Sequence, residues 1–405
     1  MTAPLETADT HHSASHDTAD THLSASAHEV KTIPGTSRTT ILPRIEWEGE
    51  QPKLAPTHRL RFEELEQLGE GGMGEVMLVK DHDIERTVAL KRLPPTADLG
   101  AVLRFIEEIR AVGQLEHPNI MPVHDVGVDE QGRYFFVMKH LKGETLEKII
   151  ERLRAGEAEA HAKYTFTVRA QIMLGVLNAI AYAHRQGFLH RDLKPANIMV
   201  GPFGEVTVLD WGLARRMTSK DAATTLKSSR DGVFKTQLGS LMGTPLYMCP
   251  EQARGAHDQL DARSDLYSLS VLFHELLYLQ HYLAGRENVP EVLDGVKTVA
   301  PETVHAPRHP AQPHGVPPEL GWYVARGMEK DPAQRFQSAE EMIAALQAIL
   351  RGEFKVQCAA TFTKRMLRES ASAVDDRPIL AVAVAGLVVL LSISGAVLLA
   401  MRLLG

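Results

Sequence analysis

The chain has 405 residues, a net charge of −7 and a globular balance of 44% hydrophobic and 23% charged residues, room for one large or two modest domains. A pI near 6.3 argues against nucleic acid as its main partner. The two cysteines, Cys249 and Cys358, lie far apart without metal-ligand spacing, which argues against a disulfide framework and a zinc site and points to a reducing, cytoplasmic setting for the folded part.

Residues 1–58 are rich in His, Ser, Thr and Ala, too poor in apolar surface to offset chain entropy, and the composition predicts a disordered tail. A basic stretch leading into an apolar core is missing, so this tail is not a signal peptide. His11, His12, His16, His22 and His28 read as part of a solvated polar tail rather than as metal ligands. From Arg59 to Ala89 apolar and polar residues alternate among glycines, predicting short antiparallel strands. Leu103 to Leu115 has helical spacing, with Phe105, Ile106, Ile109 and Val112 on one side, and Tyr134 to Met138 reads as another strand. Beyond Thr145 the pattern turns helical, most clearly over Thr167–Gln186 and Ser264–Leu279. Pro301 to Pro318 reads as a surface connection. Strands first and helices afterwards predict an α+β fold of two unequal lobes with a ligand cleft between them.

After a juxtamembrane segment over 351–378, Ile379 to Met401 has no charged residue and only Ser392 and Ser394 as polar side chains. A helix of that length crosses a hydrocarbon core of about 30 Å. Lys364, Arg365, Arg368 and Arg377 precede the segment and only Arg402 follows it, which predicts a cytoplasmic N-terminal side and a tail anchor. Gly386, Ser392 and Gly395 are small enough for close helix pairing, so a homodimer through this segment is an expectation.

The residues that carry chemistry fall between the ends. His190-Arg191-Asp192-Leu193-Lys194-Pro195-Ala196-Asn197 places an acid, a cation and a carboxamide at a spacing suited to phosphoryl transfer. Asp192 can accept the proton of an attacking hydroxyl, Lys194 can hold the moving phosphate and Asn197 can ligate a metal. Upstream, Leu68-Gly69-Glu70-Gly71-Gly72-Met73-Gly74-Glu75-Val76 holds the pattern G-x-G-x-x-G, whose bare backbone can approach phosphate oxygens. A strand-like run follows these glycines where a dinucleotide-binding fold needs a helix, which favours a flap over ATP. Lys91 ends the apolar strand Thr87-Val88-Ala89-Leu90, and a buried ammonium there needs a partner. Glu108 is preferred to Glu107 because it shares a helix face with Phe105. Asp210, in Val208-Leu209-Asp210-Trp211-Gly212, would join Asn197 in supplying oxygen ligands to magnesium.

These residues resemble the eukaryotic-like protein kinase family over roughly residues 59–350, and the resemblance extends to His117-Pro118-Asn119, to Gly243-Thr244-Pro245-Leu246-Tyr247-Met248-Cys249-Pro250-Glu251, and to Asp265 and Arg335. It implies an ATP and Mg2+ site between lobes, with phosphoryl transfer to protein hydroxyls. Gly69, Gly71 and Gly74 would cover the phosphates. Leu68, Val76, Ala89 and Met199 would enclose the adenine, and Met138 would sit at the gate behind it. The wording is most similar to bacterial serine/threonine kinases; Lys194 and Thr244 match that branch, and Glu251 is expected to pair with Arg335. Trp211 stands where the family usually has phenylalanine and Cys249 where it usually has alanine. Thr236, then Ser240, are the leading autophosphorylation candidates in the Ser- and Thr-rich stretch from Leu213 to Met242. A catalytically inactive, membrane-held pseudokinase scaffold is the alternative, but every catalytic position has the expected residue type. A small-molecule kinase fits less well with the long segment leading into Cys249-Pro250-Glu251.

Overall fold

The computed structural model describes residues 42–55, 60–71, 74–216, 245–256, 258–303, 306, 308–353, 361 and 363–366. Thr236, Ser240, Thr244, the five tail histidines and the apolar segment 379–401 lie outside them. Residues 44–55 depart from the expected tail: β1 (Arg44–Glu48) and β2 (Gln51–Ala55) form an antiparallel hairpin. Ile45 pairs with Leu54 and Trp47 with Pro52, while Glu46 faces Lys53. Composition averaged over the whole tail conceals this local period of two.

The N-terminal lobe is an antiparallel five-stranded sheet with a helix on one face. Its strands are β3 (Phe62–Gly71), β4 (Gly74–Asp81), β5 (Arg86–Arg92), β6 (Val123–Val128) and β7 (Tyr134–Lys139), ordered β3-β4-β5-β7-β6. Alternation gives the two faces different tasks. Val79, Val88, Leu90, Phe135 and Val137 form a small core on one face. Val76, Ala89, Lys91, Phe136 and Met138 point to the other, since Val76 pairs with Lys91, Lys91 with Phe136, and Ala89 with Met138. Helix α1 (Leu99–Val112) packs there through Phe105, whose ring centroid is 5.3 Å from that of Phe136. Asp98 caps it by accepting the Ala101 N–H at 2.7 Å.

The second lobe is mainly helical. It contains β8 (Glu144–Thr145), α2 (Leu146–Arg154), α3 (Ala158–Lys163), α4 (Phe166–Arg185), β9 (Phe188–Leu189), β10 (Ile198–Val200), β11 (Val206–Val208) and β12 (Arg215–Arg216). It continues with α5 (Pro250–Ala253), α6 (Ala262–Tyr278), α7 (Val289–Thr298), α8 (Pro318–Gly327) and α9 (Ala339–Arg351). Helix α6 is buried on every side from Ser264 to Tyr278 and packs against α4 and α8. Among the described residues α4 alone is long and apolar enough to cross a membrane. With Ala170, Met173, Leu177 and Ile180 fully buried in the main cluster, it is the lobe's core helix.

The Pro- and His-rich connection before α8 is not purely superficial. Gln312 is buried, accepts from Arg169 Nη1 at 2.7 Å and donates to the Leu277 carbonyl at 2.9 Å. Arg169 also donates to the carbonyls of Tyr164 and Leu276, while burial pushes its pKa down to about 10. A second buried cation braces α5. Arg335 Nη2 lies 2.7 Å from Glu251 Oε1, both side chains almost wholly enclosed, and the guanidinium also donates to the Glu329, Lys330 and Arg263 carbonyls.

Removing one member of such a pair leaves a buried charge. Arg335→Leu is expected to lower the unfolding free energy by about 3–5 kcal/mol in urea titrations. Arg185→Ala, which breaks the exposed pair with Glu340, should cost less than about 1 kcal/mol.

Candidate active site

The loop between β9 and β10 is held by a carboxylate from outside it. Asp265, in the first turn of α6, accepts the backbone N–H of His190 at Oδ2 and that of Arg191 at Oδ1, each at 2.9 Å. His184 Nε2, at the end of α4, lies 2.8 Å from the same Oδ2. Burial by itself would raise the Asp265 pKa; the bonds and charge of His184, with His190 and the Arg191 N–H, outweigh it and hold the carboxyl below its ordinary value. The His190 ring adds a second tie. Its Nε2 faces the Leu209 carbonyl at 3.1 Å and must carry the proton, while Nδ1 accepts the Asp192 N–H at 3.3 Å.

Two residues here have left-handed backbones without being glycine: Arg191 (φ 69°) and Asp210 (φ 53°). Such conformations cost about 1–3 kcal/mol each and persist only where surrounding bonds enforce them. Asp265 provides one of those bonds for Arg191. Gly212 N–H donates to Asp210 Oδ1 at 3.2 Å. Asn119 positions the strand leading to Asp210, since its Nδ2 donates to the Val206 carbonyl and its own carbonyl accepts from Val208.

Asp192 is the focus of the loop. Lys194 Nζ donates to its Oδ2 at 2.7 Å, and Asn197 Nδ2 donates to its backbone carbonyl at 2.9 Å and to Oδ2 at 3.3 Å. Oδ1 takes no hydrogen bond among the described residues. The Asn197 amide therefore spends its N–H groups on Asp192 and keeps its oxygen for another partner. That oxygen and the Asp210 carboxylate are hard donors, suited to a magnesium ion that takes its other ligands from phosphate and water.

On the facing lobe, Lys91 Nζ lies 2.7 Å from Glu108 Oε1, and both side chains are almost enclosed. Glu107 is exposed, so the helix phase selects Glu108. Burial disfavours the Lys91 ammonium, but Glu108 and then Asp210 outweigh it and raise its pKa. Burial lifts the Glu108 carboxyl above its ordinary value, against the pull of Lys91. Glu108 Oε2 is buried without a hydrogen-bond partner among the described residues, leaving Lys91 as the contact that fixes this side chain. The influence of Asp210 on both groups links the two lobes electrostatically.

The glycine turn joins β3 to β4, with Gly69 opposite Val76 and Gly71 opposite Gly74. At Gly74 (φ 127°) a Cβ would stand 2.1 Å from the Arg92 carbonyl oxygen, so close backbone approach requires glycine. At Gly69 a Cβ would meet nothing within 4 Å; the space beside it is open. Glu75 anchors the flap's far side to Arg92 and Arg133. Val76, Ala89 and Met138 share the sheet face that carries Lys91. Leu68 sits at the register shift between Gln67 and Gly69, and Met199 lies on β10, beside the Asn197 end of the loop.

The two family departures are both buried. Trp211 joins the main core of the helical lobe, with its ring centroid 4.6 Å from that of His190. Burial, aided by Glu251, pushes the Cys249 thiol up to about 12, which suits a small packed residue and not a reactive one. Sequence reasoning gave no role to His184 or Gln252. His184 stands in the last turn of a long helix, where no local pattern marks it, and Gln252 follows Glu251 as an ordinary polar residue.

Residues 62–346 match the family described as "Protein kinase domain". The chain is 32% identical over 316 residues to the serine/threonine-protein kinase PknD of Protochlamydia amoebophila, a match covering 75% of this chain and 31% of that protein. It is 36% identical over 307 residues to the serine/threonine-protein kinase pkn3 of Myxococcus xanthus, covering 72% and 50%. The corresponding values for PknD of Chlamydia pneumoniae are 30% over 303 residues, 73% and 32%. The chain thus spans about a third to a half of the length of these curated relatives.

Since Lys91 and Glu108 act as a unit, their substitutions should not add. Lys91→Met and Glu108→Gln are each expected to cut kcat/KM for ATP about a hundredfold, the double variant little further, and Glu107→Gln less than about twofold. Steady-state kinetics over a range of ATP concentrations checks this.

Proposed function

Because the chain belongs to the protein kinase domain family, among relatives that are bacterial serine/threonine kinases, we propose that it transfers the γ-phosphate of ATP to serine and threonine hydroxyls of proteins. The observation that carries this reading is the cluster at Asp192: one carboxylate oxygen is held by Lys194 and Asn197, and the other is left to receive a hydroxyl proton.

ATP lies under the glycine turn, with Leu68, Val76, Ala89, Met138 and Met199 around the adenine and Gly69, Gly71 and Gly74 over the phosphates. Lys91, aimed by Glu108, meets the α- and β-phosphates. Asn197 and Asp210 would hold magnesium, which supplies charge neutralisation at the phosphate oxygens. Asp192 orients the acceptor hydroxyl and takes its proton as the hydroxyl oxygen bonds to the γ-phosphorus and the bond to the β-phosphate oxygen breaks, releasing ADP. Lys194 offsets negative charge on the moving phosphoryl group. Positioning and electrostatics account for the catalysis, with no covalent intermediate on the protein.

The location belongs to the same proposal. The uncharged run Ile379–Met401 and the cations before it support a single-pass anchor with the catalytic domain on the cytoplasmic side. Small residues along the run support pairing in the membrane and autophosphorylation in trans at Thr236 or Ser240.

Wild-type chain given labelled ATP and a generic basic protein is expected to phosphorylate serine and threonine, and Asp192→Asn to lose at least about a hundredfold in rate. Phosphopeptide mapping should find Thr236 or Ser240 modified in the wild type alone. A wild type as inert as Asp192→Asn would replace this reading with the pseudokinase scaffold. In carbonate-washed membranes the full chain should stay in the pellet and a chain ending before Ile379 should not; full chain in the supernatant would remove the anchor.

A further inference from the structure

Gln252 lies in the short helix α5, directly after Cys249-Pro250-Glu251, and both ends of its amide are engaged. Oε1 accepts the backbone N–H of Cys249 at 3.0 Å, and Nε2 donates to the backbone carbonyl of Arg191 at 3.1 Å. The chemistry of the partners dictates this orientation: an N–H needs an acceptor and a carbonyl needs a donor. The first bond closes the start of α5. The second leaves the segment and ends on the residue before Asp192.

That destination is informative. Arg191 has φ 69°, and its N–H is already taken by Asp265. Both peptide groups flanking its strained Cα are thus held by side chains from outside the loop. One comes from the buried helix α6, which has little freedom to move. The other comes from the segment that leads out of the Ser- and Thr-rich stretch and would receive a protein substrate.

We propose that Gln252 is a positioning residue that makes the setting of Asp192 depend on the seating of the protein-substrate segment. With Cys249 and Gln252 in place, the Arg191 carbonyl is fixed and the Asp192 carboxylate is aimed. When the segment moves away, that carbonyl loses the Gln252 donor, and the peptide before Asp192 loses a tie from outside the loop while keeping the 3.3 Å bond from the Asp192 N–H to His190 Nδ1. Nucleotide contacts on the opposite lobe are not part of this link. The proposal deepens the phosphotransfer reading and rests on it.

Two variants separate the bonds. Gln252→Glu keeps an acceptor for the Cys249 N–H but offers no donor to Arg191; Gln252→Met removes both. Both are expected to lower kcat for a protein substrate about tenfold with KM for ATP within about twofold, the scale of one lost hydrogen bond. The thermal midpoint should fall in both, and further in Gln252→Met, which also uncaps α5. Amide hydrogen exchange, which needs no catalysis, should speed up at residues 190–193 in both variants. Wild-type kcat in Gln252→Glu, KM for ATP rising as much as kcat falls, or unchanged exchange at 190–193 would overturn the link. If the wild type transfers no phosphate, the phosphotransfer reading fails, and exchange at 190–193 still decides whether Gln252 holds the loop.

Discussion

A buried carboxylate that receives two consecutive backbone N–H groups is the constraint on which the site depends. Asp265 sits where an ion costs several kcal/mol unless it is fully hydrogen-bonded, and its donors are His184 and the N–H groups of His190 and Arg191. Two of these belong to the loop, so satisfying the carboxylate places the loop. The reference point is firm because α6 is packed on all sides between α4 and α8. From there the chain of consequences is short: Arg191 is held in a left-handed conformation, His190 locks onto Leu209 and the Asp192 N–H, and Asp192 is presented to Lys194 and Asn197.

The same principle recurs at each important charge. Lys91 is enclosed with Glu108, and Arg335 with Glu251. Replacing such pairs with apolar residues of similar shape can leave stability unchanged or improve it, so their value here lies in specifying position. Lys91–Glu108 fixes a cation on the sheet face that also carries Val76, Ala89 and Met138, and Glu251–Arg335 fixes the start of α5. Since Gln252 extends from α5 to Arg191, the brace at Arg335 and the clamp at Asp265 converge on one backbone unit.

Much of this arrangement was legible in the sequence because the responsible signals are local. Alternation over 59–89 and the run Tyr134–Met138 mark the strands, the resemblance to the kinase family supplies the places of Ala89 and Met138, and the phase of Phe105 on α1 separates Glu108 from Glu107. The long helices α4 and α6 follow from apolar spacing alone. What escaped depends on tertiary contacts or on signals diluted by their surroundings. His184 matters because α4 ends beside α6, and Gln312 because a proline-rich connection folds inward to meet Arg169. The hairpin at 44–55 was hidden by the composition of the tail around it. Gln252 could have been suspected only as a capping-box partner of Cys249, a signal that says nothing of Arg191.

The most direct test of the account separates loop geometry from nucleotide binding. Asp265→Asn nearly preserves shape but removes the anionic acceptor shared by the two loop N–H groups. The account predicts a fall in kcat for protein phosphorylation of about a hundredfold, the cost of misplacing a catalytic group by roughly 1 Å, while the Kd for ATP, measured by calorimetry on the same protein, stays near the wild-type value. Wild-type kcat in Asp265→Asn, or a loss traced wholly to weaker ATP binding, would contradict the claim that this carboxylate sets the catalytic loop.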